Sequence, residues 1–420
     1  MIKTKNISDS TFGKETHQSW WKALQKYLVS IIYYFGIPIL KKNPTDFIFI
    51  VHTRYDEDYD NVFPFYKPLR IFLSPEKYRK FLEKQPPLLV DKFKTVEGFN
   101  GLMITTLVPP TKLIAERSVV RNEINRILKF IQRCCIPNHD QIVLSLGAWW
   151  PMATKKGMLF NKLITEAKLN YRVTTGHSVT VFSIVKMSEW LIKKSPVKSK
   201  MINVAILGCG NIGQTVAKLL MKHNVNFTFI DINEKKLKQL KKEYESIYPK
   251  KKMRFEIFSG ETIKGVLSQC IFGVCATSNV KSIINKKDIP KNFIFIDDSR
   301  PEAIPRFLLK DDRYTIEGGL LRVKGARSSF NIGFGNDDNL LGCLAEGLLL
   351  AWDSTEDKVL KETIGSVDDN NLQQIEQFCN RHQLRFGDFK MGSIKIDEQI
   401  IENALYKRNQ TIKNTVKKHS

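Results

Sequence analysis

The sequence has no C-x-x-C pair and no cysteine–histidine grouping at metal-ligand spacing; its seven cysteines are scattered, apart from the adjacent Cys134 and Cys135. That pattern argues against a zinc-stapled or disulfide-framed fold, so no metal site is expected and a reduced, cytosolic setting is. Acidic residues are also scarce, 43 Asp and Glu against 66 Lys and Arg, a formal net charge of +23. Such a field attracts acidic partners: a carrier protein, an anionic membrane surface or nucleic acid. No helix-turn-helix, zinc-finger or RNA-reading signature is present, so specific nucleic-acid binding is not expected. Each lysine run taken singly is also what a solvated helix face looks like.

Nor is there an apolar run of the roughly 20 residues that crosses a bilayer. The most apolar segment, Tyr27 to Leu40 ("YLVSIIYYFGIPIL"), is too short, and no small-residue cleavage site follows it, so neither a spanning helix nor a signal peptide is expected. With "WWKALQK" before it and Lys41–Lys42 after it, the segment suits a peripheral membrane interface or a greasy substrate mouth. A helix packed on the body of the protein explains it equally well.

What the sequence does hold is 420 residues with 42% hydrophobic content, enough for large cores and two lobes. Its clearest chemistry lies in "MINVAILGCGNIGQTVAKLLMKHNVNFTFIDINEKK". A buried strand, Val204 to Leu207, runs into Gly208, Gly210 and Gly213, a G-x-G-x-x-G loop in which Asn211 and Ile212 complete the turn. A helix pattern runs from Gln214, and a second strand, Phe227 to Ile230, ends at Asp231. These are the parts of a dinucleotide-binding unit in order. The first glycine makes the tight turn, the second lets backbone approach a pyrophosphate, and the third lets the helix pack closely against the strand. The helix N-terminus supplies donors. A carboxylate at Asp231 accepts bonds from ribose hydroxyls and repels a 2′-phosphate, which favours NAD over NADP, with Lys235 and Lys236 keeping NADP as the alternative. Helix capping is the ordinary role for the same residue.

The alternation continues through "MRFEIF", a helix around Glu261 to Ser268, and the strands "IFGVCAT" and "NFIFIDDS". Cys275, Ala276 and Thr277 therefore fall at a strand's carboxyl end, where doubly wound sheets bind ligands. Upstream, "YRVTTGHSVTVFSIVKMSEWLIKK" sets Thr174, Thr175, His177 and Ser178 before an amphipathic helix with Val181, Ile184, Val185 and Leu191 on its apolar side. The hydroxyls suit substrate oxygens or helix capping, and His177 suits proton exchange with a carbonyl oxygen or an ordinary hydrogen-bonded role. Glu346, in "GCLAEGLLLAWD", suits a cleft, a solvated face or a pair. Cys209 and Cys343 read as packing.

The motifs "LGAWW", "TTGHSVT", "GCGNIG", "FIDDSRPEA", "EGGLL" and "GCLAEGLLLAWD", with "FIVHTRYDEDYDNVFPF" before them, are collinear over about Phe47 to Lys390. In that order the chain resembles the aldehyde-forming acyl-(acyl-carrier-protein) reductases and the related predicted amino-acid-dehydrogenase-like proteins. The resemblance implies a fatty acyl thioester delivered by an acidic acyl carrier protein, a cysteine that takes the acyl group, and hydride from a nicotinamide that releases the aldehyde. The sequence departs from the family at two places. The acyl-accepting cysteine position is Phe293, and Asp231-Ile232 stands where NADPH-using members carry an arginine. Cys275, one strand earlier, is then the candidate relocated nucleophile, with Arg300 as the cation that would favour its thiolate; filler at the end of a buried strand is the competing reading. Direct hydride transfer to a bound thioester needs no acyl-enzyme.

The expected architecture is therefore α/β and two-lobed, a Rossmann-type doubly wound dinucleotide-binding domain plus an N-terminal α/β substrate domain. Residues 1–45 form the apolar and basic N-terminal segment, 46–196 the substrate domain, 197–335 the NAD(P)-binding domain, and 336–420 C-terminal helices returning across the cleft with a basic tail, mobile after about Asn403. The expected function is an NAD(P)H-dependent oxidoreductase acting on an acyl thioester or related carbonyl compound. The alternatives are a diverged amino-, imino-, keto- or hydroxy-acid dehydrogenase, in which Arg300 or Arg172 binds a carboxylate, and a non-catalytic nucleotide-sensing or carrier-binding module.

Overall fold

The structure, a computed structural model, describes residues 18–52, 59–60, 62–95, 97–260, 262–277, 284–299, 302–305, 307, 311–328 and 337–419. Arg300, Glu261 and parts of "FIVHTRYDEDYDNVFPF" and "GVCATSNV" lie outside the described residues. The described chain divides into two compact units, one of residues 18–179 with 321–384, the other of 180–320 with 385–419.

The first unit opens with helix α1, Trp20–Phe35, begun by the Ser19 hydroxyl accepting from Lys22 N at 3.4 Å and ended by Gly36 at φ +70°. Strand β1, Phe47–His52, follows; its "FIFIVH" run is buried on both faces, as a central parallel strand must be. Helix α2 spans Tyr66–Phe72, and strands β2, Leu88–Lys94, and β3, Asn100–Thr106, form an antiparallel pair. Helix α3, Arg117–Cys134, buries Val120, Ile124, Ile127, Leu128 and Ile131, the stripe that a 3.6-residue period brings to one side. Strands β4, Ile142–Leu146, and β5, Tyr171–Thr174, complete a six-stranded mixed sheet in the order Arg327–Ser328, β2, β3, β1, β4, β5. From β3 to β5 its neighbours pair in parallel.

Helix α4, His177–Lys194, carries the boundary between the units just after Val179 and buries Val181, Ile184, Val185 and Leu191. The second unit then alternates strand and helix through its first half. Strand β6, Asn203–Leu207, helix α5, Asn211–Leu220, strand β7, Asn226–Asp231, helix α6, Glu234–Ile247, and strand β8, Met253–Ile257, make one half. Strands β9, Phe272–Cys275, β10, Ile294–Asp297, and β11, Tyr314–Glu317, make the other. The six strands lie in the order β8-β7-β6-β9-β10-β11, all parallel. This is the 3-2-1-4-5-6 order of the Rossmann fold, with its switch point between β6 and β9. Helix α5 begins at Asn211, three residues before the apolar pattern does, because the glycine loop itself forms the first turn.

Two further helices matter. Helix α7, Gly342–Asp353, is buried almost throughout and packs on β4 and β1 of the first unit. Helix α8, Glu398–His419, belongs to the second unit and corrects the expected mobile tail after Asn403. It is helical and buries Ile401, Ala404, Leu405 and Arg408. The Arg408 guanidinium donates to the carbonyls of Cys270 at 3.0 Å and of Leu267 and Ser268 at 2.7 Å, closing the C-terminal end of the helix Ile263–Ser268, and lies 5.5 Å from the Phe293 ring. The lysine-rich composition hid this anchor, since a single buried arginine does not stand out among cations.

Arg408→Met leaves those three carbonyls without their donor. We expect a loss of about 2–4 kcal/mol in urea unfolding, from charged hydrogen bonds removed, although the Leu267 carbonyl keeps the Cys270 N–H. An unchanged midpoint would show that the C-terminal helix is not held this way.

Candidate functional site

At the switch point, backbone requirements decide the residue types. Leu207 ends β6, and Gly208 turns the chain at φ +89°, a region costly for any side chain. A Cβ on Gly208 would also lie 2.6 Å from the Ala276 carbonyl oxygen and 2.7 Å from Thr277 Cγ2. The loops after β6 and β9 therefore touch. A Cβ on Gly213 would lie 2.1 Å from the Gly208 carbonyl oxygen, so only glycine allows α5 to start so close to the strand end. Val216, Ala217 and Leu220 bury the inner face of α5, and its first backbone N–H groups open onto the loop.

Asp231, at the end of β7, holds that loop from the other side. Its carboxylate accepts from Cys209 N at 2.8 Å and from Asn233 N at 2.9 Å, and Lys236 Nζ is 3.6 Å away. It is not the cap of α6; Asn233 is, accepting from Lys236 N at 3.1 Å. Each Asp231 oxygen accepts one of these backbone bonds and retains capacity for a hydroxyl donor. Cys209 is buried with its thiol pushed up to about 12 by burial and the neighbouring Asp231 carboxylate, so it packs. The Asn211 Nδ2 amide is buried with no hydrogen-bond partner among the described residues, beside a cradle that side chains cannot fill. An orphaned donor in a glycine-lined cradle at a helix N-terminus fits a dinucleotide's pyrophosphate. The unit is an NAD(P)-binding one, and the residues expected at the cofactor lie together at the switch point: Gly208, Gly210, Asn211, Ile212 and Gly213 in the loop and first turn after β6, Asp231 at the end of β7, and Ala276 and Thr277 on the facing loop.

Cys275 is the last residue of β9, fully buried in the core of this unit. Its Sγ is 3.4 Å from Ser299 Oγ, and burial, followed by the Asp297 carboxylate, holds the thiol well above the usual cysteine range. An attacking cysteine needs the opposite shift. These are the properties of a packing residue, and the physical reason is the strand's position between two others. Phe293 is also fully buried, its ring 4.7 Å from that of Phe295.

Ser299 and Asp297 are the residues that motif reading passed over. Ser299 Oγ accepts from Thr277 N at 3.0 Å, while Asp297 accepts from Ser299 N at 2.9 Å and Ile304 N at 3.1 Å. They tie the β10 turn to the cofactor-facing loop; the only signal was the polar "DDS" run closing an apolar strand.

In the first unit, "TTGHS" is an interior corner. Gly176, at φ +71°, lies so close to helix α7 that a Cβ would be 2.1 Å from Cys343 Cα. Thr174 Oγ1 donates to the Glu346 carboxylate and accepts from Gly176 N at 3.3 Å and Thr363 N at 3.1 Å. Thr175 Oγ1 donates to the Thr363 carbonyl at 2.9 Å, and Ser178 Oγ meets Thr363 Oγ1 at 2.5 Å. All three hydroxyls, expected as substrate ligands or helix caps, are buried and engaged in these intramolecular bonds. Glu346 is neither solvated nor open: its second oxygen accepts from Val179 N at 3.0 Å, in the first turn of α4, and burial raises its carboxyl above the usual range. His177 Nδ1 lies 3.1 Å from Thr175 Oγ1, and burial, with the Lys156 charge, pushes the imidazole down to about 4. At neutral pH it is uncharged and keeps one N–H donor. Arg172 is engaged too, paired with Glu362 and donating to the Leu360 carbonyl at 3.1 Å. Among the described residues no group of His, Cys, Asp and Glu could hold a metal ion.

Residues 204–251 are similar to the TrkA-N domain. No curated protein matches the chain. Among solved structures it is similar to a dipicolinate synthase component from Bacillus halodurans, at 14% identity and a TM-score of 0.29 over 45% of this chain and 61% of that one. It is similar to L-tryptophan dehydrogenase from Nostoc punctiforme at 10% identity and a TM-score of 0.36, over 88% of this chain and 89% of that one. A D-isomer specific 2-hydroxyacid dehydrogenase from Xanthobacter autotrophicus Py2, solved with NADPH and MES, matches at 16% identity and a TM-score of 0.22, over 40% of this chain and 54% of that one. The chain thus spans about three fifths of the length of the synthase component. At such identities and TM-scores the likenesses are no guide to activity.

The low His177 value gives a pH dependence. Between about 6.5 and about 4 the unfolded chain holds a proton that the folded chain does not, so stability present above pH 6.5 falls as pH is lowered through that window. The loss should be on the order of 1–3 kcal/mol. In His177→Asn the slope of urea stability against pH there should decrease by up to one proton; an unchanged slope would place the imidazole in water.

Proposed function

We propose that the chain is an NAD(P)-dependent dehydrogenase that passes hydride between the nicotinamide and a small amino, imino, keto or hydroxy acid, without a covalent enzyme intermediate. The observation that carries this reading is the pairing of a glycine-lined dinucleotide cradle with a fully buried Cys275 on the strand beside it, its thiol shifted upward by burial. A thioester reductase of the acyl-enzyme type needs a thiolate; Phe293 has no thiol, and burial with the Asp297 carboxylate disfavours a thiolate at Cys275.

The bound nicotinamide supplies or accepts the hydride. The chain's own residues do the positioning. Backbone N–H groups at the start of α5 and the Asn211 amide face the pyrophosphate. Asp231 accepts from the adenosine ribose hydroxyls, which favours NAD over its 2′-phosphorylated form; Lys236 nearby softens that preference. The Ala276–Thr277 loop, fixed by Ser299, lies against Gly208 at the strand ends and faces the cradle. Direct hydride transfer to an acyl thioester is the form in which the family resemblance remains compatible with this site. A nucleotide-sensing role uses the same cradle without turnover.

The test is a spectrophotometric panel of amino, keto and hydroxy acids and acyl-carrier thioesters with NADH, NADPH and their oxidised forms. The reading expects turnover with a small acid, higher kcat/KM with NAD(H), and retained turnover in Cys275→Ala. Turnover confined to thioesters and abolished in Cys275→Ala would restore the acyl-enzyme route, and cofactor binding without turnover would leave the sensing module.

A further inference from the structure

Helix α1 carries apolar side chains on two sides. Its inward side sets Ala23 and Tyr33 in the cores, with Tyr27 and Val29 packed against them, and is also bonded to the protein. Lys26 Nζ donates to the Val90 carbonyl and lies 3.5 Å from Asp91; Ser30 Oγ accepts from Leu89 N at 2.9 Å; Tyr33 OH donates to the Lys41 carbonyl at 2.7 Å. Tyr27 OH donates to Gln85 at 2.9 Å. The outward side is apolar. Trp21, Leu28 and Phe35, seven residues apart and hence on one face, are 76%, 51% and 66% exposed, and Ile39 beyond the helix is 73% exposed. Leu24, Ile31 and Ile32 fill the stripe between them, half-buried. Helix α2, whose start meets α1 through Phe65 against Trp20 and Tyr27, ends in Phe72 at 85% exposed.

The charges around this face are of one sign. No Asp or Glu occurs from Trp20 to Thr45, while Lys22, Lys41 and Lys42 are exposed at its two ends, on a chain of net charge +23. A second copy of the chain would bring like charge against like. At 16 residues the helix is about 24 Å long, and no described helix is long and apolar enough to cross a membrane. We propose that this face docks on a bilayer surface carrying anionic phospholipid headgroups, with α1 lying in the interface plane. The Trp21, Leu28 and Phe35 side chains enter the acyl boundary, Trp20 sits at headgroup level, and the flanking lysines meet the lipid phosphates.

The experiment is co-sedimentation of the full chain with phosphatidylcholine vesicles and with vesicles containing phosphatidylglycerol, alongside a Trp21→Ser, Leu28→Gln, Phe35→Ser triple variant. Binding is expected to the anionic vesicles, to weaken with salt, and to fall at least about tenfold in the triple variant, whose thermal unfolding and NADH affinity stay at wild-type values. The two readouts separate this proposal from the dehydrogenase reading, since either can fail with the other intact. Wild-type protein that stays in the supernatant, or a triple variant that binds as well as wild type, would overturn the proposal. Concentration-dependent dimerisation without lipid, abolished by the same substitutions, would assign the face to a second copy instead.

Discussion

The approach of helix α5 to the end of strand β6 governs the second unit. A Cβ at Gly213 would stand 2.1 Å from the Gly208 carbonyl oxygen, and one at Gly208 would strike the loop after β9. Only with both positions bare can the helix N-terminus sit directly over the strand end, its free N–H groups facing the switch point. The parallel strand order then places β9 and β10 beside the cradle, with their end loops fastened by Ser299 and Asp297. Asp231 ties the same loop from β7. The site is therefore a consequence of backbone proximity, and the side chains around it keep that proximity in place.

The first unit depends on a different interaction. Glu346 is buried with no cation against it among the described residues and is held by the Thr174 hydroxyl and the backbone N–H groups of Val179 and Thr363. A carboxylate in such a place is tolerated because each oxygen has donors, including one from the first turn of α4, where negative charge is favoured. The hydroxyls of "TTGHS" serve this corner, which explains a conspicuous motif without assigning it to substrate.

What was legible in the sequence was local. The glycine loop, its flanking strands and Asp231 stand within about thirty residues, each with a backbone reason for its identity. The alternation of strands and helices after Asn203 and the α/β class followed from the same periodicities. The "TTGHS" corner was not legible, because its partners Glu346 and Thr363 lie 172 and 185 residues away from Thr174 and Ser178. The state of Cys275 was not legible either: whether a strand-end thiol is activated or sealed depends on neighbouring strands and on Asp297, which spacing does not show. In α1 the apolar residues were visible, but their direction was not, since Lys26, Ser30 and Tyr33 gave the opposite face bonds to the protein.

The dehydrogenase reading rests on the cradle holding a nicotinamide dinucleotide, so the most direct measurement is calorimetric titration of NADH into wild-type protein and into Gly213→Val. The account predicts one site per chain in the wild type and no detectable binding in the variant, whose first unit unfolds as before. Equal binding by both proteins, or none by the wild type, would contradict it.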